Sequence, residues 1–585
     1  MATNRDVFAM LGELVTLTTL AEGSPQSFKA RAYENARLGL EADGRDVTEL
    51  SERELTKIKG VGKATASKIR ELIDTGTVAK LETLREEYPP SVVELSRIPG
   101  VGPKTLYALR SHLGIEDVDG LRAAIEAEEL RHVPGLGETT EKKIGTAISR
   151  LGLTGKDRRT PVADALPLAR RLVADLAALP TVVDVAYCGS LRRMAETIGD
   201  IDITVASADG PAVMAAVVEH EEAREIVVSG ATKTSFLTGR GLQVDVRVVD
   251  PEQFGAATLY FTGSKAHNIE LRQRAQSRGM LLNEYGLLDA SDEDVDPVDR
   301  PVIASRTEAE IYAALDLEFV PAPLREATGE VEAAGGAGLP ELIRLEDIKG
   351  DLHYHTDRSG DGRSTVAEMV QVAVDRGYEY LAITEHAGDL GRIGVAAEQM
   401  LEHREVIRRV QQDHPDITVL WGCELNIDAS GGLDYDADFR TQLEYTVASV
   451  HSSFGLSERE QTKRLVAAIS DPCVDSIGHL TARYIGRRPG IELDIDVVIE
   501  ALHHFDVALE INGGLERLDA ASDVVRKAVD RGVKLVINSD SHHVSELGRM
   551  EYGVLTAQRG WAPRDQVINA WDRDRFLEWV ETHRD

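Results

Sequence analysis

A strand that carries two carboxylates on one face, directly after a Gly-Ser turn, leaves few folds open, and residues 189–203 form such a stretch. Gly189-Ser190-Leu191-Arg192-Arg193 follows the apolar run Val182 to Cys188, and Asp200-Ile201-Asp202-Ile203 opens a second run. Side chains alternate along a strand, so Asp200 and Asp202 share one face while Ile201 and Ile203 take the other. That is a two-pronged oxygen site for a hard cation. Asp245, flanked by valines in the strand-like run Leu242 to Val249, is a third candidate. Three carboxylates converging from neighbouring strands can hold two divalent ions that clamp the attacking and leaving oxygens of a phosphoryl displacement. Ser190, nearby backbone amides and Arg193 would face the negative charge of a triphosphate, arginine offering a planar fork of donors.

The coincidence of turn, paired arginines and three aspartates resembles the palm motif of the family X DNA polymerases. The resemblance implies that Asp200, Asp202 and Asp245 are metal-binding catalytic carboxylates served by Mg²⁺ or Mn²⁺. It also implies that Gly189, Ser190, Arg193 and Gly199 hold an incoming dNTP. Further on, Tyr260-Phe261-Thr262-Gly263-Ser264-Lys265 and the residues to Arg272 resemble the thumb entry of the same family. By that resemblance the backbone near Tyr260, Phe261 and Gly263 packs against the nucleotide sugar, Asn268 reaches the base and Arg272 the template. Lys265 stands where several family members carry aspartate.

Length and charge bound the rest. At 585 residues the chain exceeds one core, and three to five units are expected. The cysteines Cys188, Cys423 and Cys473 are too scattered for a disulfide framework or a thiolate cluster, which points to a reducing, intracellular compartment. No apolar run approaches a membrane span, so a soluble, cytoplasmic protein is expected. The formal net charge of −33 is awkward for binding nucleic acid, which draws on Lys and Arg. Acidic residues fill exposed helix faces such as Glu49 to Glu54 and Glu126 to Glu129, while arginines gather at the palm motif. Together with scarce lysine, this resembles proteins of halophilic archaea, where net charge keeps a protein soluble. Screening at molar salt acts over only ~3 Å, so DNA would be held by short hydrogen bonds and metal bridges.

The first 90 residues read as helical, with Val7, Met10, Leu11, Leu14 and Leu17 at helical spacing. A Gly-x-Gly turn opening a helix occurs three times, at Gly60 and Gly62, Gly100 and Gly102, and Gly135 and Gly137, spaced 40 and 35 residues apart. These resemble helix-hairpin-helix elements, whose glycines allow close backbone approach and whose helix amides can grip a DNA phosphate without reading sequence. Lys68, on the helix after the first turn, matches the position of the Schiff-base lysine in members with a 5′-deoxyribose-phosphate lyase domain, and Tyr33 a tyrosine of that pocket.

Beyond the Gly/Ala/Glu-rich segment after residue 326, read as a flexible linker, the character of the chain changes. Twelve of the 16 histidines lie past residue 350. Short β runs alternate with amphipathic segments, which argues for a parallel sheet or barrel whose functional residues gather at the C-terminal strand ends. At those ends sit His353, His355, Asp361, His386, Glu424, His451, His479, Asp540 and His542. Imidazole with carboxylate suits Mn²⁺, Zn²⁺ or Fe, and nine ligands suffice for up to three ions. Their order and spacing resemble the PHP (polymerase and histidinol phosphatase) superfamily. That resemblance implies a distorted (β/α)₇ barrel with metal-assisted hydrolysis of a phosphate ester. Arg483 and Arg487 are candidates to steer the phosphate, and His503, His504 and His543 fall outside the pattern.

The expected architecture is multidomain α and α/β: a helical lyase-like domain (1–90), a fingers-like helical domain (91–158), a nucleotidyltransferase-type palm (159–260), a thumb (261–325), a linker (326–347) and the PHP barrel (348–585). The expected activities are gap-filling DNA synthesis and 3′-to-5′ exonuclease or 3′-end processing, with gapped or nicked DNA and dNTPs as partners, no membrane, and a monomeric chain. A chain that is chiefly a DNA-bound phosphoesterase is the alternative, and incorporation at a one-nucleotide gap discriminates.

Overall fold

The computed structural model describes residues 4–584 apart from 23–26, 44–46, 49, 89–91, 93–94, 96–100, 102, 139, 143, 146–158 and 292–299. The second hairpin's Gly100 and Gly102, and the Asp-rich loop from Asp292, lie outside the described residues. The chain divides into two compact units, Met1–Arg158 and Arg159–Asp585.

The first unit is helical. Asn4–Ala21 and Phe28–Asp43 pack together, and Glu52–Leu55, a turn and Lys63–Thr75 form the first hairpin. Val7, Met10, Leu11, Leu14 and Leu17 are all buried, as their spacing predicts. One apolar cluster runs from Val7 to Ile144, so the two expected helical domains share a core.

In the second unit a five-stranded sheet has the spatial order Val182–Tyr187, Asp200–Ser207, Gln243–Val249, Lys233–Leu237, Glu225–Ser229, and only the pair 200–207 with 243–249 is parallel. Ile201, Ile203, Val205, Val244, Val246 and Val248 join one buried cluster with the helices Val162–Ala177 and Gly210–Glu219. Alternation therefore turns Asp200, Asp202 and Asp245 to the opposite face. The thumb follows: helices Phe254–Thr262 and Lys265–Ser277, a small antiparallel sheet (Met280–Asn283, Gly286–Asp289, Val302–Ala304) and the helix Glu308–Ala314.

Residues 326–347 depart from the linker reading. Glu330–Ala334 is a helix, and Glu330 is wholly buried, accepting from the amides of Ala327 and Thr328 and pairing with His267 at 2.7 Å. Glycine and alanine here allow close packing rather than freedom; composition alone could not reveal the buried partner.

Seven parallel strands run in chain order, Gly350–Tyr354, Tyr380–His386, Thr418–Asn426, Tyr445–Ser449, Ser476–Ile477, Ala508–Asn512 and Leu535–Asn538. A parallel bridge from Tyr354 to Ser541 brings the last strand's end back to the first, which gives a nearly closed (β/α)₇ barrel. Tyr380, Tyr445 and Ala508, each opening its strand, pack with Phe576 and Trp579 of the last helix, Arg573–Thr582, and so seal the N-terminal end. The C-terminal end is left for chemistry. The barrel also packs on the palm and thumb: Leu518 is buried in the palm core and Trp561 in the thumb core.

Candidate active sites

In the palm, the parallel register sets Asp202 opposite Asp245 and Asp200 opposite Gln243, so adjacency of the three carboxylates follows from strand pairing alone. Burial, then the charges of Asp200 and Asp245, push the Asp202 carboxyl up to about 7, and Asp200 rises through burial and Asp245. Against the same burial, the Lys233 ammonium at 2.8 Å, with Gln243 and Ser235, holds Asp245 below the usual carboxylate range. Carboxylates that resist ionising together are completed by a divalent cation, whose binding must expel the proton. Binding of a divalent cation to the palm is therefore expected to release about one proton per molecule at pH 6 and almost none at pH 8, read by calorimetry in buffers of different ionisation heat. Affinity should rise with pH to about 7 and then level; the absence of proton release at pH 6 would count against this assignment.

The turn before these carboxylates is built to fit them. Gly189 has φ +64°, and a Cβ there would stand 2.6 Å from Asp202 Oδ2, so both conformation and space require glycine. Each charged residue of the following loop reaches a different part of the unit. Arg192 forks onto Glu308 with both contacts at 2.8 Å, and Glu196 accepts from Arg483 of the barrel at 2.8 Å. Arg193 pairs with Glu326 at 2.9 Å and donates to the Thr262 carbonyl at 2.5 Å. Arg559 of the barrel donates to Glu326 at 2.6 Å and to the Arg193 carbonyl at 2.9 Å. Glu326 and the Thr262 carbonyl thus engage Arg193 through Nε and Nη1.

The thumb residues close on the same place. Arg247, two residues beyond Asp245 on its strand face, lies 4.5 Å from the Phe261 ring centroid. Arg272 covers Tyr260 at 5.5 Å, and Asn268 Nδ2 donates to the Tyr260 carbonyl at 2.8 Å. Gly263, at φ +65°, would set a Cβ 3.4 Å from Arg193. Gly199 precedes Asp200 in an open setting.

In the helical unit, Gly60 has φ +91° and a Cβ there would meet the Asn35 carbonyl at 2.4 Å. Gly62 caps the next helix, Lys63–Thr75, without a side-chain capping hydrogen bond. The third turn repeats the form at Gly135, φ +87°, with Gly137 two residues later. Lys68 Nζ donates to the Ala64 carbonyl at 3.1 Å and stands 5.8 Å from the Tyr33 ring centroid, so the two residues of the lyase resemblance are neighbours.

In the barrel all nine expected residues converge, because parallel strands point their C-terminal ends one way. Glu424 lies at the centre: 2.7 Å from His386, 2.9 Å from His479, 3.1 Å from His451, 3.5 Å from His353 and 3.6 Å from His355. Asp540 is 3.4 Å from His355 and 3.7 Å from His353, while Asp361 is 3.3 Å from His386 and 3.4 Å from His542. Asp540 and His479 hold left-handed backbone, φ 51° and 23°, strain that clusters at functional sites. Against burial, the surrounding histidines hold Glu424 well below the usual carboxylate range. Burial notwithstanding, Glu424 and Asp361 raise His386 to about 10. Burial with His386 and His542 pulls His355 down to about 3.

The donor set fits metal ions. His353 Nε2, both ring nitrogens of His355, His451 Nδ1 and His479 Nδ1 are buried without a hydrogen-bond partner, an arrangement that protein groups alone leave costly. Three ligand groups have atoms within 4.8 Å of one another: His355 with His386 and His542, His353 with His355 and Asp540, and His386 with Glu424 and His451.

Sequence reasoning missed Glu510. Its carboxylate accepts from His353 Nδ1 at 2.6 Å, from the His479 amide and from Asn538 at 3.1 Å. This fixes the His353 ring so that Nε2 faces the cluster, as an outer-shell carboxylate does for a metal-binding histidine. The signal was present: Leu509-Glu510-Ile511 is a carboxylate inside an apolar strand, as at Asp245. Lys233 was also missed, since a lysine that opens a strand reads as solvated. Arg483 is engaged by Glu196 and the carbonyls of Arg517 and Leu518 through Nε and Nη2. Arg487 is exposed.

The comparisons agree with this geometry. Family models match a helix-hairpin-helix domain at residues 2–78, a SAM-like helix-hairpin-helix tandem at 92–147, the DNA polymerase beta thumb at 257–326 and a PHP domain at 351–514. The DNA polymerase/3′-5′ exonuclease PolX of Bacillus subtilis is 36% identical over 581 residues, 99% of this chain and 98% of the relative. Probable phosphatases of Acetivibrio thermocellus and Clostridium acetobutylicum are 28% and 26% identical over 245 and 241 residues, each covering 40% of this chain, with 96% and 93% of the relatives' own lengths. A relative that matches end to end, together with a palm and a PHP barrel in one unit, places the chain in the family X DNA polymerases that carry a C-terminal PHP domain.

Proposed function

We propose that this chain is a DNA-directed DNA polymerase that fills short gaps in DNA repair, and that its PHP domain removes DNA 3′ ends as a 3′-to-5′ exonuclease or 3′-end-processing phosphoesterase. The observation that carries this reading is the presence, in one compact unit, of two chemically distinct ion-ready clusters. One is all carboxylate, on the palm sheet; the other is imidazole and carboxylate, at the barrel mouth. Hard oxygen ligands suit Mg²⁺ or Mn²⁺ in the palm, and the mixed set suits up to three ions of Mn²⁺, Zn²⁺ or Fe in the barrel. Such ions, when bound, supply Lewis acidity and a lowered water pKa.

The chain's own residues do the rest. Asp200, Asp202 and Asp245 would hold the ions that align the attacking and leaving oxygens. Arg193 faces the nucleotide's phosphates. Tyr260, Phe261 and Gly263 wall the sugar, and Asn268 and Arg272 face the base pair. The hairpin glycines bring backbone amides to gapped or nicked DNA without reading sequence. In the barrel, Glu510 orients His353. No helix among the described residues is long and apolar enough to cross a membrane.

The direct test is incubation of the full chain with dNTPs and a duplex carrying a one-nucleotide gap, in Mg²⁺ or Mn²⁺ over a salt series. Incorporation is expected, with shortening of the primer when dNTPs are withheld; shortening without incorporation would favour a DNA-bound phosphoesterase. Lys68 carries a further expectation: borohydride should trap the chain on a 5′-deoxyribose phosphate, and Lys68→Ala should lose the adduct while retaining gap filling. Equal trapping by the variant would remove Lys68 from the reaction.

A further inference from the structure

Arg517 stands at the edge of the barrel cluster in a setting that its role as a packing residue does not explain. It follows the strand Ala508–Asn512, and its side chain is only 15% exposed. The guanidinium lies 4.4 Å from the Tyr484 ring centroid, and Nη2 donates to the Tyr484 hydroxyl at 3.0 Å. Nε approaches Asp540 Oδ2 to 3.7 Å, which is attraction without a hydrogen bond. Nη1 is buried and has no partner.

The loop that carries this side chain is fixed. Arg483 holds the carbonyls of Arg517 and Leu518, the Arg517 amide donates to the Gly514 carbonyl at 2.8 Å, and Leu518 is buried in the palm core. Tyr484, which braces the guanidinium, also stacks on Arg488 at 4.8 Å. The free donor is therefore held in place by its surroundings.

A buried donor without a partner is costly, and more so when it is charged. The cost rises again once Asp540 serves cations: a guanidinium beside a metal-ligand carboxylate is then repelled by the ions that share it. An anion that accepts from the arginine and meets the ions resolves both difficulties. Arginine's fixed fork suits the oxygens of a phosphoryl group. We propose that Arg517 is a catalytic residue of the PHP site, its free Nη1 donating to a non-bridging oxygen of the phosphoryl group at a DNA 3′ end. The proposal rests on the reading of the barrel as a phosphoesterase, and it extends that reading by naming the group that binds the scissile phosphate.

The test uses the full chain and inorganic phosphate as the probe, with Arg517→Gln and Arg517→Lys compared with the unaltered protein. Phosphate binding to the metal-loaded chain is followed by calorimetry, and metal content by elemental analysis. Removal of a 3′-phosphate and of a 3′-terminal nucleotide are followed separately, so that monoester and diester ends are distinguished. Arg517→Gln is expected to weaken phosphate binding and raise KM for the 3′ end by about tenfold or more, with partial recovery in Arg517→Lys and with metal content and primer extension unchanged. Equal phosphate affinity in Arg517→Gln, no phosphate binding by the unaltered protein, or loss of metal in step with loss of activity would each overturn the proposal, the last by making Arg517 a counter-ion of Asp540. Failure of the unaltered protein to hydrolyse either end would sink the phosphoesterase reading and with it the catalytic role of Arg517, whereas hydrolysis with equal phosphate affinity in Arg517→Gln would overturn the role of Arg517 alone.

Discussion

Asp202→Asn is expected to reduce primer extension by about 10³-fold while leaving 3′-end removal intact. Asp202 lies opposite Asp245 in the parallel register, two residues from Asp200 on the same strand face, so its loss removes the ligand between the other two. The substitution preserves shape and removes charge, which gives a second readout of opposite sign. Its carboxyl is raised to about 7, so in the metal-free protein the charged form is disfavoured by folding. The stability lost as pH rises from the ordinary carboxylate range through about 7 is not lost by asparagine. Without metal, the variant should unfold at a higher temperature than the unaltered chain at pH 8, and the gap should shrink toward pH 4. Loss of extension with a lower unfolding temperature at pH 8 would point to a damaged fold instead.

His355→Ala is expected to reduce 3′-end removal by about 10²-fold or more and to spare extension. His355 belongs to two of the three ligand groups, with His386 and His542 and with His353 and Asp540. It is also the safest ligand to remove. Because its imidazole is pulled down to about 3, it is neutral at pH 7, and alanine there leaves no buried charge behind. Removing Glu424 instead would strand several histidines around an absent carboxylate, at a cost of about 3–5 kcal/mol. His355→Ala should instead cost about 1–3 kcal/mol, and elemental analysis should show less bound metal in the purified protein. Full metal content with full loss of 3′-end removal would assign His355 another part in the reaction.

The features legible in the sequence were those whose signal is periodic or local. Alternation set Asp200 and Asp202 on one face and singled out Asp245, helical spacing identified the buried Val7 to Leu17 stripe, and βα alternation placed nine candidate ligands at one barrel end. Interactions between distant segments were not legible. Glu326 and Arg559, which engage Arg193, stand 133 and 366 residues from it, and neither lies in a motif. Composition misled at 326–347, where a helix rich in alanine and glutamate buries Glu330 against His267. Local pattern also left Arg483 free to meet a phosphate, whereas its partners come from the loop at 517–518 and from Glu196 of the palm.

These contacts give the two sites shared scaffolding but separate chemistry. Arg559 touches the palm loop and Arg483 the palm carboxylate Glu196, yet no described side chain hydrogen-bonds to or pairs with both the aspartate and the histidine clusters. One assay tests that separation most directly. A 5′-labelled primer on a gapped duplex is followed in the presence of dNTPs and metal, with products longer and shorter than the primer resolved together. Asp202→Asn should yield only shorter products and His355→Ala only longer ones. Loss of both product classes in either variant would contradict two independent sites in one chain.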